Sequence, residues 1–463
     1  MLRDRYDKDK FFMDIQTLTS EMEPKLAQID TLLDDDAIFQ MIKHDFGQRH
    51  PQTMQTGRPS TPVEVSLRLL VVKRLYNWSY EKTVWYVRDS LVLRRFCRVY
   101  FEKVPDDKTL LRWANLIAPE TLEALNERVT AIATALKVTR GRKLRTDGTV
   151  VETHIHHPTD SSLLADGVRV LSRTRKRAQT LLQETTGLAK ATFRDRTRSA
   201  KRAARQIARQ AQRGKTAVKK TYQRLVNTTQ ASVNQARQVH EALKATTDAA
   251  AQGLRETLEI FIPRVEQVIS QTVRRVFQDD QVPAAEKLVS LFEPHTAIIK
   301  RGKVNRDTEF GHKVWLDEVD GGLISGYRIL DGNPADSDQW QPSLDHHVQQ
   351  FARPPDQASA DRGVYSGPNE TYATQLGVKR VILPKPGAKS DARRDHERQR
   401  WFKRGRRWHA GVEGRISVVK RKHGLDRCLD HGQDGFARWV GWGVIAANLT
   451  VMGRSLVDRA ARA

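Results

Sequence analysis

Three carboxylates stand where a folded sheet would present side chains. Asp147 interrupts the strand-like run KLRTDGTVVE (143–152), whose apolar members are Leu144, Val150 and Val151. Asp361 falls at the end of a short strand in ASADRGVYS, and Glu413 lies in the helical stretch RRWHAGVEGRISVVKRK. A single buried carboxylate is costly, and three brought together would repel one another unless a divalent cation neutralised them. Oxygen-only ligands favour magnesium or manganese. Two such ions can activate an attacking oxygen, stabilise the leaving oxygen and hold a phosphodiester for in-line displacement. That chemistry suits the cutting and joining of DNA. Taken alone, each acid reads first as a strand-end or helix-surface carboxylate in an ion pair; only the combination carries the reading.

Cations accompany the third acid. Arg406 lies seven residues before Glu413, His409 four before and Lys420 seven after, so on a helix they share its face and can grip phosphate. His409 adds a full charge there only when protonated. Other candidates are weaker. His154, His156 and His157 suggest zinc, but no Cys or further His nearby completes a set. Asp160 and Asp166 read as turn or capping residues, or as groups that orient substrate, and Asp336 in GNPADSD reads as a helix cap. Trp401, Trp408, Trp439 and Trp442 read as core packing, with base stacking an alternative for the first two.

The elements that must position these residues follow from local pattern. Residues 313–319 and 323–330 flank Asp320, Gly321 and Gly322 as an antiparallel hairpin. A helix over 337–351, a short strand ending near Asp361, a helical stretch through Tyr372 and a strand over 378–383 come next. After the break at Pro384, Pro386 and Gly387, one long basic helix is expected over 396–422. Strand with Asp, hairpin, strand with Asp and helix with Glu make an α/β unit, a mixed sheet with flanking helices. A long helical insertion splits it: from 159 to 262 there is no proline, Ala, Gln, Lys, Arg and Glu dominate, and Gly187, Gly214 and Gly253 offer breaks. Within it, residues 169–224 hold 18 Lys and Arg against Glu184 and Asp195, or +16 of the total +24. Arg194, Arg198, Arg202, Arg205, Arg209 and Arg213 recur every three or four residues, so a helix would align them to meet successive phosphates. A solvated basic tract is the alternative.

Upstream, 1–57 is a helical segment, centred on 22–46, with an acidic cluster at Asp34, Asp35 and Asp36. Residues 58–135 read as an all-α DNA-binding domain. Its helix starts are Thr61 with Pro62 and Glu64 as a capping box, then Ser79, then Asp106 or Asp107. Lys73, Arg74, Arg88, Arg94, Arg95, Arg98 and Arg112 are interleaved there, although other small helical bundles look the same. Residues 426–463 form a C-terminal helical segment.

Bulk numbers agree with a polyanion partner. The chain has 463 residues, too many for one core, with 79 Lys and Arg against 55 Asp and Glu. Charge alone also fits a ribosome-associated protein or a polybasic membrane binder. Cys97 and Cys428 are too few for a disulfide framework. The N-terminus MLRDRYDKDKFF lacks the apolar core of a secretory signal, and no apolar run of about 18 residues is evident. The expectation is a cytoplasmic, nucleoid-associated protein with no membrane partner.

Over most of residues 58–450 the chain resembles the DDE transposases of bacterial insertion sequences. The carriers are RPSTPVEVSLRLL, VPDDKTLLRW, LRTDGTVVETHIHHPTDSSLLADGVRVL, ASADRGVYS and HAGVEGRISVVKRKHGLDR. The resemblance implies an RNase H-like catalytic domain in two pieces, 136–160 and 300–425, around the insertion 161–299. It implies Asp147 on the first strand, Asp361 just after the fourth and Glu413 on a later helix as catalytic metal ligands for Mg²⁺ or Mn²⁺. It further implies a homodimer or higher assembly on double-stranded DNA that binds terminal inverted repeats, cleaves the element ends and joins them to target DNA. Two departures stand out. The family's Tyr, Arg, Glu, Lys signature keeps Glu413 and Lys420, but Arg406 holds the Tyr position and His409 the Arg position; and 214 positions (361 minus 147) separate the two aspartates. An RNase H-fold nuclease without strand transfer, or a catalytically decayed DNA-binding protein, are the alternative readings.

Overall fold

The computed structural model describes residues 1–19, 21–53, 55–56, 59–186, 194–245, 248–303 and 306–462. Helices α1 (Lys10–Thr19), α2 (Pro24–Leu32), α3 (Asp36–Gly47), α4 (Val63–Leu75), α5 (Tyr80–Asp89), α6 (Leu91–Phe96), α7 (Asp107–Leu116) and α8 (Pro119–Ala135) precede the first strand. Local capping explains several of their starts. Asp35, Ser79, Ser90 and Asp106 accept from the backbone N–H of Ile38, Lys82, Leu93 and Thr109, satisfying amides that have no partner within the helix. The expected capping box at Thr61 does not form. Helix α4 begins at Val63 behind Pro62, the Val63 N–H donates to the Arg3 carbonyl, and Glu64 pairs instead with Arg68. Every residue of α4 from Val63 to Arg74 is buried, as befits a helix at the centre of a core.

The chain divides into two compact units, residues 1–154 with 312–463, and residues 155–311. The first contains strands β1 (Lys143–Glu152), β4 (Leu323–Leu330), β5 (Gln357–Ser359) and β6 (Arg380–Ile382), together with the second half of β3 (Arg306–Val319). These lie in the order β4-β3-β1-β5-β6. Strand β1 runs parallel to β5, with Lys143 opposite Gln357 and Arg145 opposite Ser359, and β5 runs parallel to β6. Strands β3 and β4 are antiparallel, from Lys313 opposite Leu330 to Val319 opposite Leu323. Their turn needs glycine: Gly321 and Gly322 have φ of +85° and +77°. Strand β2 (Ala297–Lys303) pairs with the first half of β3 and belongs to the second unit.

Helices α13 (Trp340–Phe351), α14 (Gly367–Gln375), α15 (Asp391–Arg398), α16 (Arg400–His423) and α17 (Gly432–Ala460) complete the first unit. Helix α16 packs on β1, β5 and β6, and α13 on β1 and β4. The single basic helix expected over 396–422 is two helices, because Gln399 is extended (φ −56°, ψ 145°). Helix α17 corrects a second expectation, being long and apolar enough to cross a membrane. Its residues from Phe436 to Leu449 are nonetheless almost continuously buried, and it packs against α2, α8 and β4, the place of a core helix.

The second unit is a helical bundle of α9 (Asp160–Thr186), α10 (Thr197–Gln210), α11 (Lys215–Leu243) and α12 (Ala249–Phe277). It has its own core, which includes Leu164, Val168, Leu225, Val233, Leu258 and Val265. Gly214, with φ +94°, separates α10 from α11, whereas Gly253 lies inside α12 without breaking it. The Gly187 break lies outside the described residues.

Candidate active site

Asp147 sits midway along β1, half-buried, and its Oδ1 accepts from the Gly148 N–H at 2.7 Å. Asp361 follows β5 by two residues and stands at the start of a short 3-10 turn, Arg362–Val364, without capping it through its side chain. Because β1 and β5 are hydrogen-bonded neighbours, residues 214 positions apart in sequence come to adjacent strands. Burial and the negative charge of Asp361 push the Asp147 carboxyl up to about 6, with a further contribution from Asp336. Asp361 moves the other way, held below the usual carboxylate range chiefly by its hydrogen bond with His409.

His409 enters this site from α16. Its ring is buried; Nε2 lies 3.2 Å from Asp361 Oδ1, and Nδ1 lies 3.4 Å from the hydroxyl of Ser359, itself buried on β5. A carboxylate only accepts, so Nε2 carries a proton toward Asp361, while Nδ1 shares a hydrogen bond with the Ser359 hydroxyl. Glu413, one helical turn beyond His409, is exposed, and among the described residues nothing ties it to the two aspartates. Nor do any three of His, Cys, Asp and Glu among those residues converge as a metal cage.

Sequence reasoning missed several neighbours. Asp336 is not a cap: Ala335 holds that position, and Asp336 begins a 3-10 turn, pairs with Lys313 at 2.5 Å and contributes to the field at Asp147. Ser359 and Arg145 carry no sequence signal of their own, and both act through contacts that only the sheet creates. Asp160 and Asp166 are engaged within the second unit, by Gln271 and Arg275 and by Arg169 and His156 respectively. Trp439 and Trp442 are buried, while Trp401 packs edge-on to His396 and Phe402.

The cations divide by exposure. Arg406 points to solvent, and Lys420 lies 3.9 Å from Asp426. On α10, Ala200, Ala203 and Ile207 are buried while Arg198, Lys201, Arg202, Arg205 and Arg209 are exposed together; Arg194 is exposed just before the helix. The side chain of Arg213 lies outside the described residues. In the N-terminal helices, four of the cations expected to face DNA are structural instead, Arg94 among them through the carbonyls of Tyr100 and Glu102. Lys73 is buried under Tyr80 and Trp439 and pushed down to about 8; Arg74 donates to the carbonyls of His423 and Trp439; and Arg98 pairs with Asp30 and Asp34. The acidic cluster owes its place to the same network: Asp34 also pairs with Arg68, and Asp35 with Arg128. Arg88 and Arg112 remain exposed.

Residues 14–116 match the family described as Transposase domain (DUF772), and residues 371–453 match the Transposase DDE domain. The second match takes in His409, Glu413 and Lys420 and leaves Asp147 and Asp361 outside it. No curated protein and no solved structure gave a match. A transposase domain thus stands towards each end of the chain. The two matches support a DDE transposase of an insertion sequence.

Proposed function

We propose that this transposase binds the terminal inverted repeats of its own element as a dimer or higher assembly, nicks the element ends, and uses the freed 3′ hydroxyls to attack target DNA. Asp147, Asp361 and Glu413 are its acids, on a sheet we read as RNase H-like. The observation that carries this reading is the placement of Asp147 on β1 beside Asp361 just past β5, where burial first and then the charge of Asp361 push the Asp147 carboxyl up to about 6. Two carboxylates brought together in this way, with His409 meeting only Asp361, offer oxygen donors that fit a hard divalent cation. Asp147 and Asp361 would hold Mg²⁺ or Mn²⁺, with Glu413 the third ligand we assign. Bound there, the ion supplies Lewis acidity toward the scissile phosphodiester and neutralises charge that builds on it.

The chain's own groups do the rest. His409 donates to Asp361 and so fixes the orientation of that carboxylate. Arg406 and Lys420 take phosphate oxygens alongside the acids, and Arg194, Arg198, Arg202, Arg205 and Arg209 hold the duplex backbone through charge. The test is cleavage of labelled element ends with Mg²⁺, comparing wild type with Asp147→Ala, Asp361→Ala and Glu413→Gln at equal DNA occupancy. Cutting is expected to vanish in each while binding persists; cutting retained in all three would remove the assignment. Joined products separate this reading from that of a nuclease without strand transfer.

A further inference from the structure

Two residues before Asp147, on the same face of β1, Arg145 is buried in a bidentate ion pair with Glu318 of β3, Nε to Oε2 at 2.8 Å and Nη2 to Oε1 at 2.7 Å. Its remaining nitrogen, Nη1, donates to the carbonyl of Trp408 in the middle of α16, and the Trp408 ring lies 4.8 Å from the guanidinium. Arg415, lower on the same helix, reaches Glu318 Oε1 at 3.4 Å. Two features make room for this arrangement. The β3–β4 register shifts between Asp317 and Glu318, the kind of bulge that re-aims a side chain. In α16, Gly411 faces Arg145, and a Cβ there would stand 2.5 Å from Nη1.

A buried ion pair contributes little net stability against an apolar replacement, because desolvation offsets the attraction. What this one fixes is position. One guanidinium holds a β3 carboxylate and an α16 carbonyl together, and that carbonyl belongs to the residue before His409. A slip of α16 by one residue would turn His409 by about 100° and move it about 1.5 Å along the axis, away from Asp361. We propose that Arg145, clamped to Glu318, is a positioning residue that sets the register of α16 on the sheet, so that His409 meets Asp361. Its consequence for cleavage rests on the strand-cutting reading above; the placement itself does not.

The test uses two glycines of one helix in the full-length protein. Replacing Gly411 drives a methyl into the Arg145 guanidinium, whereas Gly414 has open space around its would-be Cβ. Both changes favour the helix intrinsically, so a role in helix stability alone would give them the same sign. Arg145→Gln is the third variant. Two readouts are taken: the nitrogen shifts of the His409 imidazole by NMR, and the single-turnover cleavage rate at saturating DNA. Gly411→Ala and Arg145→Gln are expected to lose the shift pattern of Nε2–H bonded to carboxylate. They are also expected to cut about 100-fold more slowly, as a misplacement of about 1 Å allows, with DNA affinity unchanged; Gly414→Ala is expected to match wild type in both. An unchanged His409 signal in Gly411→Ala and Arg145→Gln would overturn the clamp. A signal lost in both variants, in a protein whose wild type cuts no DNA, would uphold the clamp and remove the strand-cutting reading instead.

Discussion

At the scale of single residues, His409 is the informative position. A cation four residues before Glu413 reads as a phosphate grip when only spacing is visible. The ring is instead buried, bonded to Asp361 on one side and Ser359 on the other. These roles make different demands on a variant. If His409 orients Asp361, His409→Ala lowers the cleavage rate at saturating DNA by roughly 10–100-fold and leaves the dissociation constant near wild type. A phosphate contact would instead weaken binding and leave the saturated rate alone. Titrating DNA and measuring single-turnover rates on the same preparation separates the two.

At the scale of elements, α10 carries a row of exposed cations, Arg198, Lys201, Arg202, Arg205 and Arg209. Its Ala200, Ala203 and Ile207 stripe packs inward, which leaves its arginines free to face an external partner. Replacing Arg198, Arg202, Arg205 and Arg209 by Gln is expected to preserve helix content by circular dichroism and to weaken DNA binding. The slope of log affinity against log salt should fall by as much as about 3.6, roughly 0.9 for each phosphate no longer neutralised. An unchanged slope would show that α10 faces something other than the DNA backbone. The neighbouring elements teach a caution. Lys73, Arg74 and Arg98 also recur among short helices, yet they are consumed by Trp439, by backbone carbonyls and by Asp30 and Asp34. A cation's spacing says nothing about whether an acid from another helix has already claimed it.

At the scale of the whole molecule, stability should depend on pH through two buried histidines. His347 donates to the Gly141 carbonyl, and burial pushes both His347 and His423 down to about 4. In the unfolded chain each titrates near 6.5, so between about pH 6.5 and 4 the unfolded state binds more protons and stability falls as pH falls. The loss approaches about 3 kcal/mol per histidine at pH 4. Urea unfolding from pH 7 to 4.5 is expected to show this decline, and His347→Gln should reduce it; a flat profile would count against both burials. The two units have separate cores, so damage to one should stay local. Leu225→Ala is expected to cost about 2–4 kcal/mol and to raise amide exchange in α9, α10, α11 and α12 alone. Equal loss of protection across β1 and α17 would mean that the units unfold together.

What the sequence determined by itself was local chemistry. Ser79 and Asp106 cap helices because a side-chain oxygen three residues from an amide needs no distant partner. Gly321 and Gly322 turn a hairpin because only glycine takes that backbone conformation freely, and Asp147 lies on a strand because Leu144, Val150 and Val151 around it suit one. The resemblance supplied the family, which the matches at 14–116 and 371–453 bear out. Tertiary structure decided the rest, since it depends on which groups meet. Only the parallel pairing of β1 with β5 brings Asp361 near enough to raise Asp147, and only the packing of α16 on that pair buries His409 against Asp361. The core position of α17 and the Arg145–Glu318 clamp likewise follow from long-range contacts. Composition and spacing cannot encode these, because the same residue types one register away would point at different neighbours.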